Sequence, residues 1–275
     1  MTAQSVGVEE QLFVAHLDIQ KLPAHWLMAH LGKRVLRPGG RETTRWLLDK
    51  VRIQPCDDVV EFAPGVGLTA CEILRRKPKS YAGVERNVRA VALTRRSLAR
   101  EGFLAIPMLR GDAADVPLPN GAASLVFGEA MLSMQSHEKK LLIMSEAHRL
   151  LRPGGRYAVH ELAVIPETID KALLAEIQRA LSATIHVGVR IGTPSQWEGW
   201  LESAGFRVEA TATAPMRLLE LDRLLEDEGI AGTTRFVLNA IRTPGALQRL
   251  RTVRACFRRY RAHLGAIAVV ASTAT

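Results

Sequence analysis

Three acidic residues and a glycine pair are spaced as a nucleoside-bearing ligand would need them. In Glu61-Phe62-Ala63-Pro64-Gly65-Val66-Gly67-Leu68-Thr69-Ala70 an apolar run enters a glycine turn and leaves as a helix. Glycine lets a backbone approach a ligand closely, and a helix start offers free N–H groups, so a carboxylate or phosphate can rest there. The same letters fit the GxGxxA form of a dinucleotide site, so the turn alone leaves the ligand class open. Glu85 closes the next apolar run, where a carboxylate can accept hydrogen bonds from both hydroxyls of a ribose. Asp112 follows Leu109-Arg110-Gly111, where a carboxylate can accept from the exocyclic amine of an adenine. Side chains placed to act on a second molecule lie past the ends of the later strands: Glu129, His137, His160, Glu161 and His186. Cys56, Cys71 and Cys256 form no metal-ligand or redox spacing, and no histidine–carboxylate pattern suggests a metal.

The elements that must carry these residues alternate. Strands are expected at Asp57–Ala63, Ser80–Glu85, Leu104–Leu109, Ala123–Gly128 and Tyr157–Leu162. Helices are expected between them at Leu68–Arg76, Val88–Glu101 and Lys139–Leu151, the last stopped by Arg152-Pro153-Gly154-Gly155. Such alternation implies βαβ units and a parallel sheet. Helical patterns also cover Glu42–Ile53, Thr168–Ser182, Ser195–Ser203 and most of 216–262, with further strands at Phe206–Thr213 and Ala266–Ala271. The expected fold is α/β: a Rossmann-like, seven-stranded, mostly parallel sheet with helices on both faces and a helical cap. One domain is expected, in four segments: an N-terminal helical segment 1–55, a ligand-binding core 56–162, a helical cap insertion 163–205, and the last two strands with their helical insertion over 206–275.

At 275 residues the chain can bury one sizeable core. No apolar run is long enough to span a membrane, and the first residues show no basic region followed by an apolar block. With three unpatterned thiols, this points to the cytoplasm. The net charge of +9 is concentrated: from Gly229 onward there are eight arginines and no acidic residue. Such a stretch can meet nucleic acid, an anionic membrane surface or an acidic substrate, or form a solvated helix face.

Taken in order, the glycine turn, Glu85, Asp112-Ala113, Pro117-Leu118-Pro119, the strand Ser124-Leu125-Val126-Phe127-Gly128-Glu129-Ala130, Leu151-Arg152-Pro153-Gly154-Gly155 and a strand ending in His160-Glu161 resemble the class I S-adenosylmethionine-dependent methyltransferases. The similarity is greatest to the small-molecule group that includes ubiquinone, menaquinone and sterol methyltransferases, and it spans about Arg37 to Thr213. It implies S-adenosylmethionine as cofactor. Glu61, Ala63, Gly65 and Gly67 would hold its methionine part and Glu85 its ribose. Arg86, Asp112 and Ala113 would surround the adenine, and Glu129 with Ala130 would lie near the reactive methyl. The turn Arg37-Pro38-Gly39-Gly40 resembles a loop that closes over the cofactor in relatives. The family pattern has three alternate glycines; here Ala63 replaces the first and Pro64 follows it.

The implied reaction is an in-line methyl transfer to a small, partly apolar molecule. It needs alignment and exclusion of water, and a base only where the acceptor arrives protonated. His137 and the pair His160-Glu161 are the expected catalytic or acceptor-binding residues. The arginines after Gly229, Arg251, Arg258 and Arg259 among them, hint at an anionic acceptor. Three other readings compete. An NAD(P) oxidoreductase shares the glycine turn and Glu85, but no Tyr-x-x-x-Lys pair is present. An RNA or protein methyltransferase would use the basic stretch, but no RNA-binding module or interleaving of aromatic and basic residues accompanies it. A non-catalytic protein that binds S-adenosylmethionine would keep the same motifs. The identity of the acceptor, the atom methylated and the oligomeric state are not written in these motifs.

Overall fold

The structure, a computed structural model, describes residues 18–274. In chain order its elements are α1 (Ala24–His30), α2 (Gly40–Val51), β1 (Asp58–Phe62), α3 (Leu68–Leu74), β2 (Ser80–Glu85), α4 (Val88–Arg100), β3 (Met108–Arg110) and β4 (Ala123–Glu129). After a 3-10 turn at Leu132–Met134 come α5 (His137–Leu150), β5 (Leu151–Val164), α6 (Lys171–Ile185), α7 (Pro194–Ser203), β6 (Arg207–Pro215), α8 (Leu221–Arg242), α9 (Ala246–Arg259) and β7 (Leu264–Ser272). The strands form one sheet in the order β3-β2-β1-β4-β5-β7-β6. All pairs are parallel except those of β7, which runs against both β5 and β6. The chain reverses its winding between β1 and β4, so a crevice opens at their carboxyl ends, the usual ligand position in such sheets.

Side chains alternate across each strand, and the sheet is covered on both faces. Val60, Phe62, Val126 and Val159 pack with α5 and with Trp197 and Leu201 of α7. Val59, Leu125, Phe127 and Ala158 pack with α2, α3 and Leu98 of α4. A third cluster joins α1, α6, α8 and α9 above the strand ends. Of the stretch 163–205, then, α6 belongs to this upper layer while α7 packs against the sheet. The segment expected over 1–55 is described only from residue 18, where α1 joins the upper layer and α2 the sheet.

Two elements differ from their expected form. The third strand does not begin at Leu104: Ala105 takes a left-handed φ of 57°, Pro107 has no N–H to give a ladder, and pairing starts at Met108. The fifth strand is longer than Tyr157–Leu162 at both ends. Leu151 pairs with Ala123 and Arg156 with Leu125, so Pro153-Gly154-Gly155 forms an irregularity within β5 rather than a simple helix stop. At the other end the strand runs on to Val164, paired with Leu264.

Candidate functional site

The turn after β1 keeps the backbone shape of a glycine loop without its first glycine. Ala63 sits in the left-handed region at φ 51°, Gly65 at 59° and Gly67 at 79°. The Ala63 N–H donates to Val84 O at 2.8 Å, holding the turn to β2. A Cβ on Gly67 would come within 3.0 Å of Thr94 Cα, so this glycine permits the loop to lie against α4. From α4 the Thr94 hydroxyl donates to Gly65 O at 2.8 Å and the Ser97 hydroxyl to Val66 O at 2.7 Å. An L-residue in the left-handed region is strained, whereas glycine is not, at the cost of a freer unfolded chain. Ala63→Gly is therefore expected to stabilise the protein by about 0.5–1 kcal/mol, read as a higher denaturation midpoint; an unchanged or lower midpoint would mean that Pro64 already sets the loop.

The three carboxylates lie where expected but in different surroundings. Glu61 is buried and accepts the Tyr81 hydroxyl at 2.7 Å. Burial pushes its carboxyl up to about 8; Tyr81 and Arg37 oppose this, while Glu129 and Glu85 add to it. Glu85 is also raised by burial, against the backbone N–H groups of Asn87, Gly65 and Arg86. Asp112 is more open: its side chain pairs with Lys139 Nζ at 2.9 Å and accepts the Ala114 N–H at 3.0 Å. Desolvation resists its ionisation, but these partners prevail and hold it low.

Glu129, at the end of β4, is the hub of the site. Its buried carboxylate accepts from Arg37 Nη1 at 2.7 Å, Thr44 Oγ1 at 2.5 Å, Thr69 Oγ1 at 2.5 Å and His160 Nδ1 at 2.8 Å. Burial works against its charge, yet Arg37, His160 and Thr44 outweigh it and hold the carboxyl down at about 2. Arg37 also reaches Thr69 through Nη1. Its Nε and Nη2, the pronged edge that suits a carboxylate, are buried with no partner among the described residues. The Arg37 loop is clamped from α8. The Glu228 carboxylate accepts the N–H groups of Arg34 and Val35, each at 2.8 Å, and Asp227 accepts that of Arg41 at 2.9 Å.

The expected catalytic residues fall elsewhere. His160 is fully buried: its Nε2 accepts the Gly39 N–H at 3.1 Å, which leaves the proton on Nδ1 for Glu129. A Cβ on Gly39 would come within 2.8 Å of that ring nitrogen, so this glycine, rather than loop flexibility, is what lets the turn dock. Glu161 faces the other way. It accepts the N–H groups of Met131, Leu132 and Ser133 and the Ser133 hydroxyl, fastening the 3-10 turn beyond Ala130. Both residues are consumed in positioning because β5 is a central strand covered on both sides and does not end at them. His137 is exposed at the start of α5, edge-on to Trp200 at 5.6 Å, and His186 is exposed where α6 ends; neither lines the cavity. Of the cap arginines, Arg258 pairs with Glu220 and Arg259 with Glu176, Arg251 is exposed, and these three do not line the cavity.

The cavity itself measures about 570 Å³. One half is walled by Glu61, the 63–66 turn, Glu85, Arg86, Asp112, Ala113, Glu129 and Ala130, with Arg37 and Pro38. Gly39, Gly40 and Gly67, expected at the cofactor, are not among the lining residues. The rest is mostly apolar: Ala24, Met28, Leu162, Leu181, Ile185, Met216, Leu218 and Phe257, from α1, β5, α6, the segment before α8, and α9, with Arg34 and Gln135 also on the lining. Among the described residues the histidine on its lining is His25, which sequence reasoning missed; burial pushes its ring down to about 4, so it is neutral. Thr44, Thr69, Lys139 and Glu228 were missed as well. Only Thr69 carried a signal, being the first-turn residue after the glycine loop.

Residues 59–155 match the family described as a methyltransferase domain. An uncharacterized protein of Haemophilus influenzae is 29% identical over 219 residues, 79% of this chain and 85% of that one. The methyltransferase GfsG of Streptomyces halstedii is 27% identical over 147 residues, 52% of this chain and 51% of its own. Among solved structures, phosphoethanolamine N-methyltransferase 2 of Haemonchus contortus in complex with S-adenosyl-L-methionine superposes with a TM-score of 0.67 at 15% identity, covering 92% of this chain and 56% of that one.

Proposed function

We propose that this S-adenosylmethionine-dependent methyltransferase, class I by its domain over residues 59–155 and by its sheet order, methylates a small, partly apolar molecule held in the upper half of its cavity. The observation that carries the reading is the division of that cavity. One part offers an acid or base for each polar group of an adenosyl amino acid; the rest offers mostly apolar surface with the neutral imidazole of His25.

The residues fit the cofactor. The unpartnered Arg37 Nε and Nη2 suit an α-carboxylate, Glu61 an ammonium, Glu85 a ribose and Asp112 an adenine amine. When bound, S-adenosylmethionine supplies a methyl already activated by its sulfonium charge. The chain's own work is then to bind, orient and dry the site. Arg37, Glu129 and His160 lock the entry loop down; Glu161 fixes the 3-10 turn whose Met131 and Ser133 line the wall; α1 and α6 close the acceptor side. Burial disfavours the His25 imidazolium, so this ring is a weak base, and its part in the cavity is to hydrogen-bond and orient an acceptor group.

The test is release of S-adenosylhomocysteine from full-length protein given a panel of small apolar phenols, enols and carbon acids, with RNA and protein as comparison substrates. Turnover is expected with members of the small-molecule panel alone. His25→Ala is expected to raise the acceptor KM by about threefold or more with a smaller effect on kcat, as the loss of an orienting hydrogen bond would. Turnover on RNA alone would overturn the reading, as would a protein that binds the cofactor and turns over with nothing.

A further inference from the structure

The outer side of the cap carries an apolar face with a basic edge. After the break at Gly229 (φ 71°), α8 buries Gly232, Thr233, Phe236 and Ala240 and turns Ile230, Val237, Leu238 and Ile241 to solvent. Ile230 is 79% exposed and Ile241 61%. At the helical repeat these four fall within an arc of about 100°. Arg235 and Arg242 come next on the circumference; both are exposed and neither makes an ion pair among the described residues. No acidic residue stands between Gly229 and Thr275; Asp18, which shares a surface hollow with Arg242, is paired with Lys21.

We propose that this face of α8 docks on an anionic lipid bilayer, the four apolar side chains entering the boundary between headgroups and acyl chains and Arg235 and Arg242 meeting lipid phosphates. A row of exposed apolar side chains bordered by arginine is the pattern of an interfacial helix, for which apolar area and attraction to anionic lipid add. Charge favours the bilayer over a second copy of this chain. An identical face would set its own arginines against these, with Asp18 already paired to Lys21, whereas an anionic surface complements the edge. The docking involves neither the cavity nor the methyl donor, so it stands or falls apart from the proposed reaction.

Co-sedimentation of the full chain with vesicles of phosphatidylcholine alone, or with about a third phosphatidylglycerol, decides it. Binding is expected to the anionic vesicles only and to fall at least tenfold by about 0.5 M NaCl. Arg235→Gln with Arg242→Gln is expected to weaken it severalfold, and Ile230→Asp with Ile241→Asp to abolish it; all four sites are exposed, so the thermal midpoint should hold. No binding to either vesicle, or binding indifferent to Ile241→Asp, overturns the proposal. So does a concentration-dependent dimer lost in Ile241→Asp, which would make a second copy the occupant. Binding that emerges only after removal of residues 1–17 also overturns it, since the chain's own N-terminal segment would then fill the face.

Discussion

Arg37→Met is expected to weaken S-adenosylmethionine and S-adenosylhomocysteine binding by about 30–100-fold, equivalent to roughly 2–3 kcal/mol, while leaving adenosine binding within about twofold. The reasoning starts from a buried cation with two donors unmet. Nη1 is used on Glu129 and Thr69, but Nε and Nη2 are buried without a partner among the described residues. Unmet buried donors raise the energy of the free protein, and a ligand carboxylate that takes both recovers it. Adenosine has no such carboxylate, so its affinity does not depend on Arg37. Calorimetric titration of the three ligands measures the difference directly. An equal loss for adenosine would show that the substitution had collapsed the whole site, and no loss for any would place the carboxylate elsewhere.

The same change should also destabilise the protein. Removing Arg37 leaves Glu129 ionised in a buried place, and breaking such a pair costs about 3–5 kcal/mol. Arg37→Met with Glu129→Gln removes both charges and should recover a good part of that loss. Arg37→Lys keeps the charge but not the prongs, so it should keep stability better than affinity.

The parts of this site that could be read from the chain are those fixed by local rules. Strands buried on both faces are short apolar runs, and the carboxyl ends of parallel strands share one edge. Glu61, Glu85 and Asp112 therefore had to converge once β1, β2 and β3 were recognised. Even the erroneous start of β3 did no harm, since its end was placed within one residue. The parts that could not be read depend on packing over long separations. Thr44 meets Glu129 across 85 residues and Glu228 meets Arg34 across 194, and nothing local marks either contact. His25 reaches the cavity only because α1 packs beneath α6 and α9. His160-Glu161 was legible as a pair but not in its role. Ending the strand at Leu162 sets the two at the rim, whereas ladder pairing on to Val164 draws both inside, on opposite faces.

Glu61→Gln is expected to make the free protein less sensitive to pH and to weaken cofactor binding, two effects with one origin. In the folded chain burial lifts the Glu61 carboxyl to about 8, against an ordinary value of 4.5. A raised value means that the folded state keeps a proton the unfolded chain has released. The associated stability is complete below pH 4.5, drains away as pH rises toward 8, and changes no further above it. At about 1.4 kcal/mol per pH unit for one proton, wild type should lose a few kcal/mol across that window beyond whatever other groups contribute. Glutamine has nearly the same shape and no proton to lose, so the variant should show a flatter profile and be the more stable protein near pH 8. A ligand ammonium reverses the preference, because it favours the ionised carboxylate. Wild type should release close to one proton on binding S-adenosylmethionine near pH 6.5, seen as a buffer-dependent heat, and Glu61→Gln close to none. The variant should also bind about tenfold or more weakly, since a neutral amide cannot meet the cation as a carboxylate does. Denaturant unfolding from pH 5 to 8.5 together with titration in two buffers covers both claims. Parallel stability profiles for the two proteins would mean that Glu61 is ionised in the free enzyme, and that Arg37, not burial, governs the carboxylates of this site.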